Sequence, residues 1–167
     1  MFRKMRRKNC ELSFETAEKI LREGIFGVLS LSGDDGYSYG VPINYAVEGN
    51  KIYFHSAKSG HKLDAIKNND KVSFCVVDKH EVVAEEFTSY FTSAIAFGRI
   101  KILDDEGEVA EKSHALELLA EKYCASANPE LREKELSRVN AVSILVLEIE
   151  NLTGKAAREL IRDKKIS

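Results

Sequence analysis

Two turn signals, Gly33-Asp34-Asp35-Gly36 and Glu48-Gly49-Asn50, cut the stretch from Ile25 to His55 into three apolar segments joined with almost no slack. Segments joined this tightly return antiparallel to one another, because a parallel crossover needs about a dozen residues or more. The sequence therefore predicts strands over Ile25–Leu31, Tyr37–Val47 and Lys51–His55. β-rich sequence resumes at Val72–Val77 and again at Phe87–Leu103, where Gly98 marks a bulge or bend. Val142–Ile149 reads as a last buried strand, followed by a turn at Thr153-Gly154-Lys155.

Helical spacing appears between these strands. Ser13 can cap a helix that runs to Gly24, with Phe14, Ala17, Ile20 and Leu21 as its apolar stripe. A short helix over His61–Asn68 turns Leu63 and Ile66 inward, and Glu106–Tyr123 carries Val109, Leu116 and Leu119 in helical register. Asn128-Pro129 reads as an N-cap followed by proline at the first position of another short helix. Six or so strands with helices at the start, in the middle and after the fifth strand predict a mainly β fold. Its form is a closed or nearly closed antiparallel barrel with peripheral helices, and the missing β-α-β alternation excludes a doubly wound sheet.

A chain of 167 residues suits one domain, with a basic arm over residues 1–12 and a charged segment over residues 151–167 at its ends. A net charge of −2 argues against a nucleic-acid binder, so the cluster Arg3, Lys4, Arg6, Arg7 and Lys8 is local. It is a solvated arm, or one that reaches an anionic ligand or a neighbouring subunit. No apolar run is long enough to cross a bilayer and none follows the charged start as a signal peptide would, which predicts a cytoplasmic protein with no membrane partner. Cys10, Cys75 and Cys124 are odd in number and without a Cys-x-x-Cys, so neither a disulfide framework nor a zinc site is indicated, and Cys75 is expected in the core.

The chemistry concentrates in Tyr53–Leu63, YFHSAKSGHKL, where a strand runs into a helix start carrying Gly60, His61 and Lys62. The first N–H groups of a helix lack intrahelical partners and the dipole favours an anion, which is how phosphates are held. Lys62 adds a full charge, Ser56 and Ser59 add hydroxyls, and Gly60 lets the backbone approach a ligand. A solvated helix start with nothing bound is the competing reading. Val41, Pro42, Ile43, Asn44 and Tyr45 offer an apolar strand with one amide, suited to a flat ring, or else an ordinary edge strand marked by its proline. His80 and His114 read as surface residues, no side-chain set has metal spacing, and the adjacent Glu85 and Glu86 point to opposite faces of an extended chain. No nucleophile elbow, Walker loop or dinucleotide fingerprint is present.

In order along the chain, MRRK (Met5–Lys8), YGVPINY (Tyr39–Tyr45), YFHSAKSGHKLDAI (Tyr53–Ile66), VSFCVV (Val72–Val77), FTSYFTSAIAFGRIKIL (Phe87–Leu103), ALELLAEKY (Ala115–Tyr123) and LTGK (Leu152–Lys155) resemble the FMN-binding split-barrel family typified by pyridoxamine 5'-phosphate oxidase, and within it the nitroimidazole-resistance (Nim-like) branch. The resemblance implies an antiparallel split β-barrel and a homodimer with flavin at the subunit interface. It implies that His55, Ser56, Ala57, Gly60, His61 and Lys62 receive the FMN phosphate and that Val41, Pro42, Ile43, Asn44 and Tyr45 run along the isoalloxazine ring. Ser93 and Ile95 are expected near the cofactor of the partner subunit. His61 stands where the oxidases carry arginine, which weakens the charge at that position. His55 is the one candidate for a direct chemical role, set against the commoner reading of a lone histidine as a hydrogen-bonded structural residue. No metal is implied.

The function implied is FMN-dependent reduction of a small acceptor such as a nitroaromatic compound, with reduced nicotinamide or another donor; FAD is open as the cofactor. The alternatives are a non-catalytic flavin- or haem-binding protein, a deazaflavin-dependent reductase, and the oxidase reaction itself. The segment Arg158–Lys165 does not reproduce the oxidases' substrate-binding ending.

Overall fold

The computed structural model describes residues 2–103 and 106–162. Its strands are β1 (Phe26–Ser32), β2 (Ser38–Asn44), β3 (Ala46–Glu48), β4 (Lys51–Ser56), β5 (Lys71–Val83), β6 (Thr88–Leu103) and β7 (Ser143–Ala156). They form one antiparallel sheet in the order β2-β1-β5-β6-β7-β4-β3. The sheet curls until β2 and β4, near its opposite edges, come into contact, which makes it a split barrel. Around it lie α1 (Phe14–Glu23), α2 (His61–Asn68), α3 (Val109–Cys124), α4 (Pro129–Leu136) and α5 (Arg158–Arg162).

The barrel interior is filled from β4 and β5. Phe54 and Phe74 are fully buried and meet edge to face at 5.1 Å, and Tyr45 meets Phe74 in the same way at 4.6 Å. Beside that volume β6 places the small residues Ala94 and Ala96, and further along the strand Ile100 joins the same core. β4 and β7 are buried on both faces, because α3 lays Ala115 and Leu116 over Tyr53, Ile144 and Val146 on the outside of the barrel. Among the described residues the outer face of β2, β1 and β5 has no such cover. Phe26 (62% exposed), Val28 and Val77 (59%) stand open there.

Helix starts follow the sequence signals. Ser13 Oγ accepts from the Thr16 N–H at 3.2 Å, and Asn128 Oδ1 accepts from the N–H groups of Glu130 and Leu131 at 2.9 and 3.3 Å. Ala17, Ile20 and Leu21 are buried against the sheet, whereas Phe14, expected in that stripe, points out at 60% exposure. The irregularity expected at Gly98 is a register shift: Phe97 pairs with Asn151 and Gly98 with Ile149, leaving Glu150 as the extra residue on β7.

Three expectations are corrected. The strand expected over Tyr37–Val47 breaks at Tyr45, whose N–H donates to the Tyr123 hydroxyl at 3.0 Å and whose carbonyl accepts from that hydroxyl at 2.8 Å, so its backbone leaves the ladder. The turn expected at Thr153-Gly154-Lys155 is the continuation of β7, paired with Ser93–Ile95. Gly154 is there for close approach, since a Cβ on it would lie 2.7 Å from that of Ala17 on α1. Cys75 is not in the barrel core: Phe74 and Val76 take the inward positions, which leaves Cys75 half-buried on the outer face between Val28 and Ile95. Of the charged C-terminal segment, residues 151–156 belong to β7 and 158–162 to α5, while residues 163–167 lie outside the described residues.

Candidate functional site

β4 delivers the chain to α2 through the turn Ala57–Gly60. The Gly60 carbonyl accepts from the N–H groups of Leu63 and Asp64 at 2.9 and 3.3 Å, and the N–H groups of His61 and Lys62 have no acceptor inside the helix. Gly60 has φ of 130°, a conformation side chains rarely allow, and a Cβ built on it meets nothing within 4 Å. The backbone therefore turns there beside open space.

Two basic side chains flank that space and differ in their partners. His61 stacks on Tyr39, with ring centroids 4.2 Å apart and planes 16° from parallel, and its Nε2 lies 3.4 Å from Asp34 Oδ2. Lys62 is half-buried and, among the described residues, has no acid or carbonyl paired with it; burial pushes its ammonium below the usual lysine range. A partly desolvated charge without a counter-ion, at a helix start, is a fitting place for a phosphate. Ser56 is buried at the end of β4, opposite Ser143, and His55 and Ala57 on either side of it are exposed.

The residues expected along a ring divide between two faces, because alternation on β2 turns neighbours opposite ways. Val41 and Ile43 pack against the barrel core, while Pro42 and Asn44 face outward opposite Val28 and Phe26. Tyr45 departs from the expected slot: its ring is 0% exposed and its hydroxyl donates to the Leu21 carbonyl at 2.6 Å, with burial holding the phenol well above its ordinary pKa. Ser93 and Ile95 share the outer face with Pro42 and Asn44 but sit three strands away, roughly 14 Å. One chain does not bring them to His61 and Lys62; a molecule covering the outer face would meet them.

A cavity of about 630 Å³ opens where the ends of β2 and β4 meet α3 and α4. Asn44 and His55 border it from the barrel, Leu119 and Tyr123 from α3, and Arg132 and Leu136 from α4. Tyr123 holds this corner together, with its single proton shared between the Ile25 carbonyl at 2.5 Å and that of Tyr45; the Asn44 amide also donates to Ile25, at 3.2 Å. Sequence reasoning did not single out Tyr123, Arg132 or the Tyr39–His61 stack. The only available signal was the placement of Tyr39 and Tyr123 at the ends of quoted motifs.

Residues 13–156 match the family model of pyridoxamine 5'-phosphate oxidase. The chain belongs to the pyridoxamine 5'-phosphate oxidase family. The match begins at the Ser13 cap of α1 and ends at Ala156, the last residue of β7, so the family region is the whole barrel with α1 to α4. A protein of Rhizobium meliloti strain 1021, of no stated function, is 30% identical over 151 residues, covering 87% of this chain and 93% of that protein. Among solved structures, a candidate 5-nitroimidazole antibiotic resistance protein from Bacteroides thetaiotaomicron superposes with a TM-score of 0.73 at 21% identity, over 87% of this chain and 86% of that one. An FAD-binding protein from Mesorhizobium loti superposes with a TM-score of 0.65 at 26% identity, over 88% and 96%. For this oxidase-family chain the first of these likenesses is one of fold. None of the described helices is long and apolar enough to cross a membrane.

Proposed function

We propose that the protein is an FMN-dependent oxidoreductase, working as a homodimer, that reduces a small acceptor such as a nitroaromatic compound. The observation that carries this reading is Lys62, a half-buried ammonium with no partner among the described residues, beside the open turn at Gly60. Lys62, the free N–H groups of His61 and Lys62, and the His61 ring would hold the cofactor phosphate, with Ser56, Ala57 and Ser59 bordering it. Pro42 and Asn44 would edge the ring, and the backbone of Val41, Ile43 and Tyr45 would run beneath it. Bound there, the flavin would supply two-electron chemistry between a reduced nicotinamide donor and the acceptor, in a cytoplasmic setting. The protein's own task is to bind, orient and exclude water, and His55, at the mouth of the cavity, is the side chain nearest to a direct role.

The homodimer is supported by the uncovered outer face. Phe26, Val28 and Val77 form an apolar surface beside Pro42, Ile95 and Ser93, and a second copy lying on it would bring its own Ser93 and Ile95 toward this chain's site. FMN has a single phosphate to set against the single ammonium of Lys62, and the FAD-binding relative keeps FAD as the alternative.

The test is the visible spectrum of the purified protein together with the mass of the small molecule released by heat, followed by nicotinamide consumption with a nitroaromatic acceptor. Two flavin bands, released FMN and turnover are expected. A colourless protein that does not take up added FMN or FAD refutes the reading, a Soret band moves it to haem, and a flavin-loaded protein without turnover on any donor removes the enzymatic part.

A further inference from the structure

The cavity between α3, α4 and the ends of β2 and β4 has a lining whose chemistry narrows its occupant. Its walls are mainly apolar, from Leu116, Leu119, Leu136 and Val142, and three arginine or glutamate side chains reach it from α4 and the turn after it. Arg138 is committed to Glu135, 3.1 Å away. Arg132 is half-buried and its guanidinium, among the described residues, has no hydrogen bond or ion pair. The cavity thus carries one positive charge left over after its internal pair is counted, on a guanidinium whose fork matches a carboxylate. Asn44 and His55 close the opposite side, so a molecule seated on Arg132 lies with its far end toward the barrel.

We propose that this cavity binds a planar aromatic carboxylic acid, with the carboxylate on Arg132 and the ring system between the leucines of α3 and α4. An apolar slot with a single uncompensated cation selects for an apolar body carrying one negative charge. A rigid aromatic body fills it at the lowest cost in ordering. As the seat of the acceptor, the cavity rests on the flavin reading above, since Asn44 borders both the cavity and the proposed ring slot, and an aromatic acid that also carries a nitro group has the group that would take the electrons there. The binding itself does not depend on that reading.

The experiment is calorimetric titration of the full chain, flavin-free and again after FMN is added, with 2-naphthoate and its neutral isostere 2-naphthamide. Naphthoate should bind about ten- to a hundredfold more tightly than the amide, the worth of one charge-assisted hydrogen-bonded pair. Arg132→Met should erase that preference while leaving the amide's affinity within about twofold, and Arg132→Lys should keep part of it. Ala120→Phe, which fills the cavity from α3, should abolish binding of both, and it serves if Arg132→Met does not fold. Equal affinity for acid and amide in the wild type, or unchanged naphthoate binding in Arg132→Met or Ala120→Phe, overturns the proposal. If FMN fails to bind but the acid preference and its loss in Arg132→Met remain, the flavin reading falls and the cavity assignment stands.

Discussion

Replacing Lys62 with Met should move two measurements in opposite directions. In the free protein Lys62 is partly desolvated with no counter-ion among the described residues, so it contributes nothing favourable to folding that a methionine of similar length would lose. Its folded pKa is depressed, so the folded state binds fewer protons than the unfolded one at alkaline pH; the penalty is present below the folded value and is relieved as pH rises toward 10.5. Lys62→Met should therefore leave stability within about 0.5 kcal/mol of wild type, or above it, in urea unfolding at pH 7.5. FMN affinity should fall by roughly 1.5–3 kcal/mol, about ten- to a hundredfold, because the phosphate loses a charge-assisted hydrogen bond. A bound phosphate would also raise the Lys62 pKa, so wild-type affinity should decline as pH climbs past the value of the free protein, and the variant should lack that decline. Fluorescence titration with FMN from pH 7 to 10 checks both. An unchanged dissociation constant removes Lys62 from the site, and a loss of stability beyond about 1 kcal/mol shows that the side chain is structural instead.

Tyr123→Phe strands the Tyr45 N–H that donates to its hydroxyl, and should cost roughly 1–3 kcal/mol in urea unfolding; a change under about 0.5 kcal/mol would mean the corner at Asn44 does not depend on it. Gly154→Ala places a Cβ 2.7 Å from that of Ala17, which should cost roughly 1–3 kcal/mol, and adding Ala17→Gly should recover part of it; no recovery would place the strain elsewhere. Phe26→Asp puts a charge on the open apolar face and should shift the sedimentation profile from dimer to monomer, whereas a dimer that persists would move the interface off this face. Burial pushes the Lys122 ammonium down to about 8, so wild-type stability should rise with pH between about 8 and 10.5 relative to Lys122→Met, and parallel pH profiles would remove that titration.

How far the sequence could be read depended on whether a feature was local. Ser13, Asn128 and the turns after Leu31 and Glu48 act through bonds within a few residues of themselves, and the structure has each where the sequence signals put it. Gly154 did not yield to the same reading. A glycine beside threonine and lysine signals a turn only if nothing lies over it, and Ala17, far away in sequence, lies directly over it. Cys75 is a case of parity: the apolar run VSFCVV identifies a strand, but which of its residues face inward is fixed by pairing with β1 and β6.

The site divides along the same line. Gly60, His61 and Lys62 are consecutive and were legible as a helix start, whereas the pairing that distinguishes the two basic side chains was not. Asp34 and Tyr39 reach His61 from the β1–β2 turn and from β2, and nothing comparable reaches Lys62 among the described residues. A carboxylate 3.4 Å from His61 competes with any anion for that ring, which adds to the contrast already present in the sequence between a full charge at Lys62 and an imidazole at His61. Asn44 and Tyr45 also looked alike as neighbours on one strand. The hydroxyl of Tyr123, arriving from the end of α3, takes Tyr45 out of the ladder and leaves Asn44 at the mouth of the cavity. An aromatic residue closing an amphipathic helix gives no sign of such a role, because its partners are backbone groups set by the fold and carry no side-chain signature.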